Sequence, residues 1–206
     1  MSDSARTRRP VGRPRRSSAE TIADAAAELF LENGYAGTTV DQIAQRAGVS
    51  RGTFFNYFEA KSDLFWLDLD RTLAGLPERL RASSGLPPVA AVTAALAALA
   101  DDYEVDRVPW ALTQGEAMML GDDVVTSAAG RFVTHRAVVA DYLAERTGAG
   151  RHDVTSETIA SVLVAAAGTA FVSWARAGVA RPSLRGMVDQ AFADVTTALG
   201  SSSEPG

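Results

Sequence analysis

Thr39 to Phe58 reads TVDQIAQRAGVSRGTFFNYF, and the local chemistry of this stretch decides the fold. Thr39 is followed three residues on by Gln42, the spacing of a capping box in which each side chain satisfies the other residue's exposed backbone N–H. A short helix is expected to carry Val40, Ile43, Ala44 and Ala47 until Gly48 ends it, and Ser50 caps a second helix at once. Ile43, Ala44, Ala47, Val49, Phe54 and Tyr57 are the apolar positions that pack the pair, with Ala44 at the crossing, Gly48 in the turn and Phe54 wedged beneath. Two short helices joined this way form a helix-turn-helix. The second helix leaves Arg51, Gly52, Thr53 and Asn56 outward. Arg reads guanine through two hydrogen bonds, Asn reads adenine, and the Thr methyl touches thymine in a major groove. Ser50, Thr39, Lys61 and the Tyr57 hydroxyl are placed for phosphates.

A rival motif overlaps the turn. Gly48-Val49-Ser50-Arg51-Gly52 fits G-x-S-x-G, the nucleophile elbow of serine hydrolases. That elbow requires a strand before it, whereas residues 40–47 have helical spacing, so a hydrolase using Ser50 is a remote alternative. Upstream, Arg6, Arg8, Arg9, Arg13, Arg15 and Arg16 face a single acid, Asp3, among Pro10, Gly12 and Pro14. Residues 1–16 are therefore expected to be a disordered basic arm, with Arg13, Arg15 and Arg16 reaching DNA and adding salt-dependent affinity. The Gly12-Arg13-Pro14 triplet has the core of an AT-hook, a minor-groove element. Charge divides the chain in the same sense. Residues 1–62 hold nine Lys or Arg against seven Asp or Glu, while residues 63–206 hold eleven against eighteen.

The rest of the chain reads all-α. Its 38 alanines favour helices and close helix packing, and no stretch shows sustained alternation. A first helix is expected from Ser18 to Asn33-Gly34 and a fourth from Lys61 to about Arg81, weakened at Gly75 and Pro77. Five more follow, opening near Val89, Trp110, Asp122, Asp153 and Ser183, for about nine in all. The expected domains are a helix-turn-helix domain with its connecting helix over 17–80 and a second helical domain over 81–206.

Composition removes whole classes of function. With no cysteine and only His135 and His152, thiolate sites and most zinc enzymes are excluded, and no metal site or cofactor is expected. The longest apolar runs, Val89–Ala100 and Val162–Val172, fall short of the roughly 20 residues of a membrane helix, so a cytoplasmic protein without membrane contact is expected. Trp66, Tyr103, Trp110, Met118, Met119, Phe132 and His135 are large or polarizable residues in the connecting helix and the helices after it. They line either a ligand pocket or only the core.

The stretch AAAELFLENGYAGTTVDQIAQRAGVSRGTFFNYFEAKSDL, within Thr21 to Leu64, resembles the DNA-binding domain of the TetR family of bacterial transcriptional regulators. The resemblance covers about a quarter of the chain. It implies a cytoplasmic, nucleoid-associated homodimer on an inverted-repeat operator, joined through its last two helices and released by a small apolar ligand. Carried over by position, it implies phosphate contacts for Thr39, Ser50, Tyr57 and Lys61, and base contacts for Arg51, Thr53 and Asn56. The segment YFEAKSDLFWLDLD is similar to actinobacterial members linked to mycofactocin gene clusters, for which acyl-CoA ligands are discussed. An acyl-CoA needs Arg131, Arg136 or Arg176 nearby, and a lipophilic cation needs Glu116 or Asp102. An architectural DNA-binding dimer without ligand control is the alternative.

Overall fold

The computed structural model describes residues 18–103, 108–113, 122–178 and 181–201. Among them are α1 (Ser18–Gly37), α2 (Val40–Arg46), α3 (Arg51–Phe55), a 3-10 helix (Lys61–Trp66), α4 (Leu67–Leu73), α5 (Leu76–Ala82), α6 (Pro88–Asp102), α7 (Trp110–Thr113), α8 (Asp122–Thr147), α9 (Val154–Arg176) and α10 (Leu184–Ser201), with no strand. The all-α reading holds, with the shortest elements subdividing the expected nine.

Local signals act where the sequence places them. Thr39 Oγ1 accepts from the Gln42 amide at 3.2 Å while Gln42 Oε1 accepts from the Thr39 amide at 2.8 Å, so the capping box is complete. Gly48 takes a φ of 69°, the left-handed conformation that turns the chain between α2 and α3. Gly34 likewise takes a φ of 72° and ends the regular part of α1. Buried Thr38 fastens that end, its hydroxyl lying 2.8 Å from the Gly34 carbonyl and 3.1 Å from that of Leu29.

The expected helix from Lys61 to Arg81 is not continuous. It divides into the 3-10 helix, α4 and α5, with the break at Ala74 and Gly75. Pro77 lies in the first turn of α5. It has no N–H for the Leu73 carbonyl and its ring crowds that oxygen, so a helix cannot pass through. A connecting rod becomes three short elements.

Two apolar cores flank the break. The first packs Ile22, Ala26, Leu29 and Phe30 of α1 with Ile43, Phe54, Phe58, Leu64, Phe65 and Trp66. The second gathers Val92, Leu96, Leu99 and Tyr103 of α6 with Val139, Leu143, Leu163, Trp174, Val188 and Phe192. Leu76 and Leu80 of α5 belong to this second core, and Leu69 and Leu73 of α4 pack against it, while Val124 of α8 joins the first. There α9 packs between α8 and α10, and α6 packs against α5 and α10. Trp174 is fully buried, donates from Nε1 to the Pro182 carbonyl at 2.9 Å, and meets Tyr103 and Phe171 edge-on and stacked.

By length and composition α9 could cross a membrane, which a count of uninterrupted apolar residues does not suggest, because its Ser, Thr and Gly residues interrupt the run without making it polar. Only 28% of its most apolar window is buried. Thr158, Ala165 and Thr169 form an exposed row of small residues opposite the core.

Candidate nucleic-acid interface and ligand cavity

The helix-turn-helix presents a continuous exposed strip. Ser50, Arg51, Gly52, Asn56 and Tyr57 are exposed, and Thr53 is half-buried. Below them Phe54 and Ile43 are fully buried, so the core sets the pitch of the strip. Tyr57, expected to pack the helix pair, instead stands 49% exposed, and Phe58 takes the inward place. The reason is register: α3 ends at Phe55 and Asn56 is its C-cap, so the next residues do not continue its apolar face.

Several of these groups already have partners. Ser50 Oγ accepts from the Thr53 amide at 3.0 Å and lies 2.9 Å from the Thr53 hydroxyl, a cap that fixes the start of α3. Arg51 donates to Asp41 Oδ2 at 2.8 Å and stacks over exposed Phe55 at 5.4 Å from the ring centroid. Both charges are more than half exposed, so the pair is weak and Arg51 can exchange Asp41 for another acceptor. Lys61 lies inward of the strip. Its Nζ donates to the carbonyls of Tyr35 and Thr38 at 2.5 and 2.8 Å and sits 3.9 Å from the Tyr35 centroid, tying the 3-10 helix to the end of α1. Arg46 binds Glu28 and Glu32 of α1. The hydrogen bonds it donates to Glu32 and then Glu28 hold its guanidinium above the ordinary arginine range, while accepting from Arg46 holds Glu32 below the usual carboxylate range. Asp41 and the Glu28–Glu32–Arg46 cluster carry no signature in a single sequence, because their partners come from other helices. Arg13, Arg15 and Arg16 lie outside the described residues.

In the second half, α4, α6, α8, α9 and α10 enclose an apolar cavity of about 210 Å³. Trp66, Tyr103, Phe132 and His135 line it, as do Leu69 and Phe171. Trp110 opens α7, with nothing described of its side chain, and Met118, Met119 and Glu116 lie outside the described residues. Asp102 pairs with Arg79 away from this cavity, Arg136 pairs with Glu157, and Arg176 is exposed. Arg131 is the cation at the wall.

The cavity also touches the helices that follow the helix-turn-helix. Trp66, Leu69, Thr72 and Leu73 belong to the 3-10 helix and α4. Trp66 Nε1 donates to Ser127 Oγ of α8 at 2.8 Å. Arg131 of α8 donates from Nε and Nη2 to the two oxygens of Asp70 at 2.7 and 2.6 Å, and from Nη2 to Asp63 Oδ1 at 3.2 Å. Burial opposes its charge, but the hydrogen bonds and charges of Asp70, then Asp63, outweigh that and raise its pKa above the ordinary value. His135 Nδ1 lies 2.7 Å from the Arg131 carbonyl. A carbonyl only accepts, so Nδ1 carries the proton in that contact.

Comparison with known proteins finds relatives for both parts of the chain. Residues 22–66 match the model of bacterial regulatory proteins of the tetR family, and residues 86–200 match the MftR C-terminal domain. The mycofactocin biosynthesis transcriptional regulator MftR of Mycobacterium tuberculosis is 29% identical over 167 residues, covering 81% of this chain and 84% of its own length. The HTH-type transcriptional repressor AcnR of Corynebacterium diphtheriae is 31% identical over 65% of each chain. Among solved structures, Thermus thermophilus FadR, a TetR family repressor in complex with lauroyl-CoA, aligns with a TM-score of 0.54 and 28% identity over 86% of this chain and 93% of its own. G-x-S-x-G here follows helix α2 and not a strand, and these relatives are regulators, which removes the hydrolase reading. The helix-turn-helix at one end, the helical cavity domain at the other and the two family matches along their length make this chain a member of the TetR family of DNA-binding transcriptional regulators, with a C-terminal domain of the MftR type.

Proposed function

We propose that the protein is a dimeric repressor whose affinity for an inverted-repeat operator falls when a small apolar molecule fills the cavity. The observation that carries this reading is the shared wall: Trp66, Leu69, Thr72 and Leu73 face the cavity while belonging to the segment that leaves the helix-turn-helix. A ligand that fits best with these helices displaced shifts the protein toward that state by its differential affinity. In a dimer the recognition helices must stand about 34 to 36 Å apart to enter successive major grooves, so a small displacement costs operator affinity.

The dimer is supported by α9. This long apolar helix exposes the small residues Thr158, Ala165, Gly168 and Thr169 along its outer face, and they let a second backbone approach closely. The α9–α10 pair of a second copy supplies that backbone. The ligand is proposed to be a straight acyl chain, on the apolar lining and on the lauroyl-CoA bound by the Thermus relative. Base contacts are assigned to Arg51, Thr53 and Asn56, and phosphate contacts to Thr39, Ser50 and Tyr57, from their places along the exposed strip. A purely architectural dimer has no use for a cavity against α4.

Selection of duplexes from random-sequence DNA by the purified protein at about 150 mM salt tests this, since non-specific binding is weak there. The expected result is an enriched inverted repeat that lauroyl-CoA releases. An operator indifferent to lauroyl-CoA and to other acyl chains refutes ligand control, and the absence of any enriched repeat refutes the repressor.

A further inference from the structure

Arg131 and His135 stand in a wall between two spaces, the apolar cavity and a wider cleft of about 720 Å³ between the two halves. The cleft takes Tyr57, Asp63 and Asp70 from the N-terminal half and Ser127 and Thr134 from α8. The Arg131 side chain is only 17% exposed, and three of its hydrogen bonds cross to Asp63 and Asp70. Asp63 is also held locally, accepting from the Ala60 amide at 2.8 Å where the 3-10 helix begins. That helix starts three residues after Phe58, the last buried aromatic of the helix-turn-helix. The guanidinium further lies 5.5 Å from the centroid of Trp66, which lines the cavity.

A part-buried guanidinium stays charged and is costly to leave without acceptors, so it exchanges partners and does not give them up. An apolar chain in the cavity ends at this wall, where an oxygen acceptor is such an alternative partner. The carboxylate fork of Asp70 matches the guanidinium fork, which a ligand carboxylate also does. A chain ending in a cation has nothing to offer Arg131 and repels it.

We propose that Arg131 is the latch through which the cavity holds the DNA-binding half, and that the effector is an apolar chain ending in an acceptor oxygen that takes the guanidinium from Asp63 and Asp70. The proposal rests on ligand control as read above. Its first test, however, needs neither operator nor effector. In the full-length protein, amide hydrogen exchange over residues 61–66 should accelerate at least about tenfold in Arg131→Gln and in the Asp63→Asn/Asp70→Asn double variant, while residues 22–30 of α1 keep their protection. Unchanged protection over 61–66 in both variants overturns the latch.

The second test uses the selected operator with two probes of equal chain length, dodecanoate and dodecyltrimethylammonium. Dodecanoate should weaken operator binding by wild type about tenfold or more. It should shift Arg131→Gln less than about twofold although calorimetry shows it still bound, with the cationic probe inert on both. Asp63→Asn/Asp70→Asn should bind the operator weakly without any probe, and Arg131→Lys, which keeps the charge but not the fork, should respond in part. A full dodecanoate response in Arg131→Gln overturns the latch and leaves ligand control standing. A response to the cation alone overturns the effector chemistry. Failure to select any operator counts against the repressor, and hydrogen exchange still decides the latch.

Discussion

The two cores of this chain are filled differently. Around the helix-turn-helix the core is aromatic and closed: Phe30, Tyr35 and Phe65 sit 5.2 to 5.5 Å apart in one cluster, and Phe54 packs against Phe58 at 5.5 Å. The second core is built largely from Ala, Leu and Val, and leaves a cavity against α4. Large rings interlock and fix one arrangement of α2 and α3, whereas small side chains on long helices can leave space where a ligand fits. A reading head needs the first property and a sensor the second.

Truncation tests this contrast most directly. Phe54→Ala removes a fully buried ring from the closed core and should cost about 3 to 5 kcal/mol in chemical denaturation, while Phe171→Ala at the cavity wall should cost no more than about half of that. Equal losses at the two sites mean that the second core is as tightly specified as the first. Next in size, Ala165→Glu places a charge on the exposed row of α9 and should yield monomers in sedimentation, with inverted-repeat affinity falling about a hundredfold through lost bivalency. A stable dimer would move the interface elsewhere.

Arg51→Ala addresses the reading head itself. It should cost about 1 to 3 kcal/mol on the selected operator and relax preference at one base pair, with little change on random DNA. Equal losses on both remove the base contact and leave Arg51 a phosphate ligand. A still smaller change is expected in acid. Asp153 caps α9 by accepting from the Ser156 amide at 2.8 Å, and that bond, with the Ser156 hydroxyl, depresses its pKa. A depressed pKa means stability that is present above the unfolded value and lost as pH falls through the folded one. Asp153→Asn, which still caps, should keep stability near neutrality and flatten the acid limb of a denaturation series. An unchanged acid limb would place the acid sensitivity in other carboxylates.

Legibility follows locality. Capping box, turn glycine and Ser50 cap all lie within a few residues of what they satisfy, so Thr39 to Phe58 reads as a helix-turn-helix from its residues alone. Tyr57 escapes the same reading because the helical period does not extend past the end of α3. Lys61 reads as a surface cation, and only the return of α1 brings the Tyr35 and Thr38 carbonyls to it across 26 and 23 residues. In the second half, apolar periodicity predicts helices but is silent on whether their small residues meet or leave space. Core and pocket are therefore both open for Trp66 and His135 in the sequence, with core the more ordinary reading, and the fold places both at the cavity wall, Trp66 also being buried in the first core.

An all-helical chain, a helix-turn-helix with an exposed strip, and a family are written in the order of residues, because caps, turns and helical periods are short-range chemistry. Two features belong to the folded chain instead: α9 turns a row of small residues outward, and Arg131 reaches Asp63 and Asp70 from 68 and 61 residues away. Such pairings are made by the packing of whole helices, and no local pattern of residues encodes them.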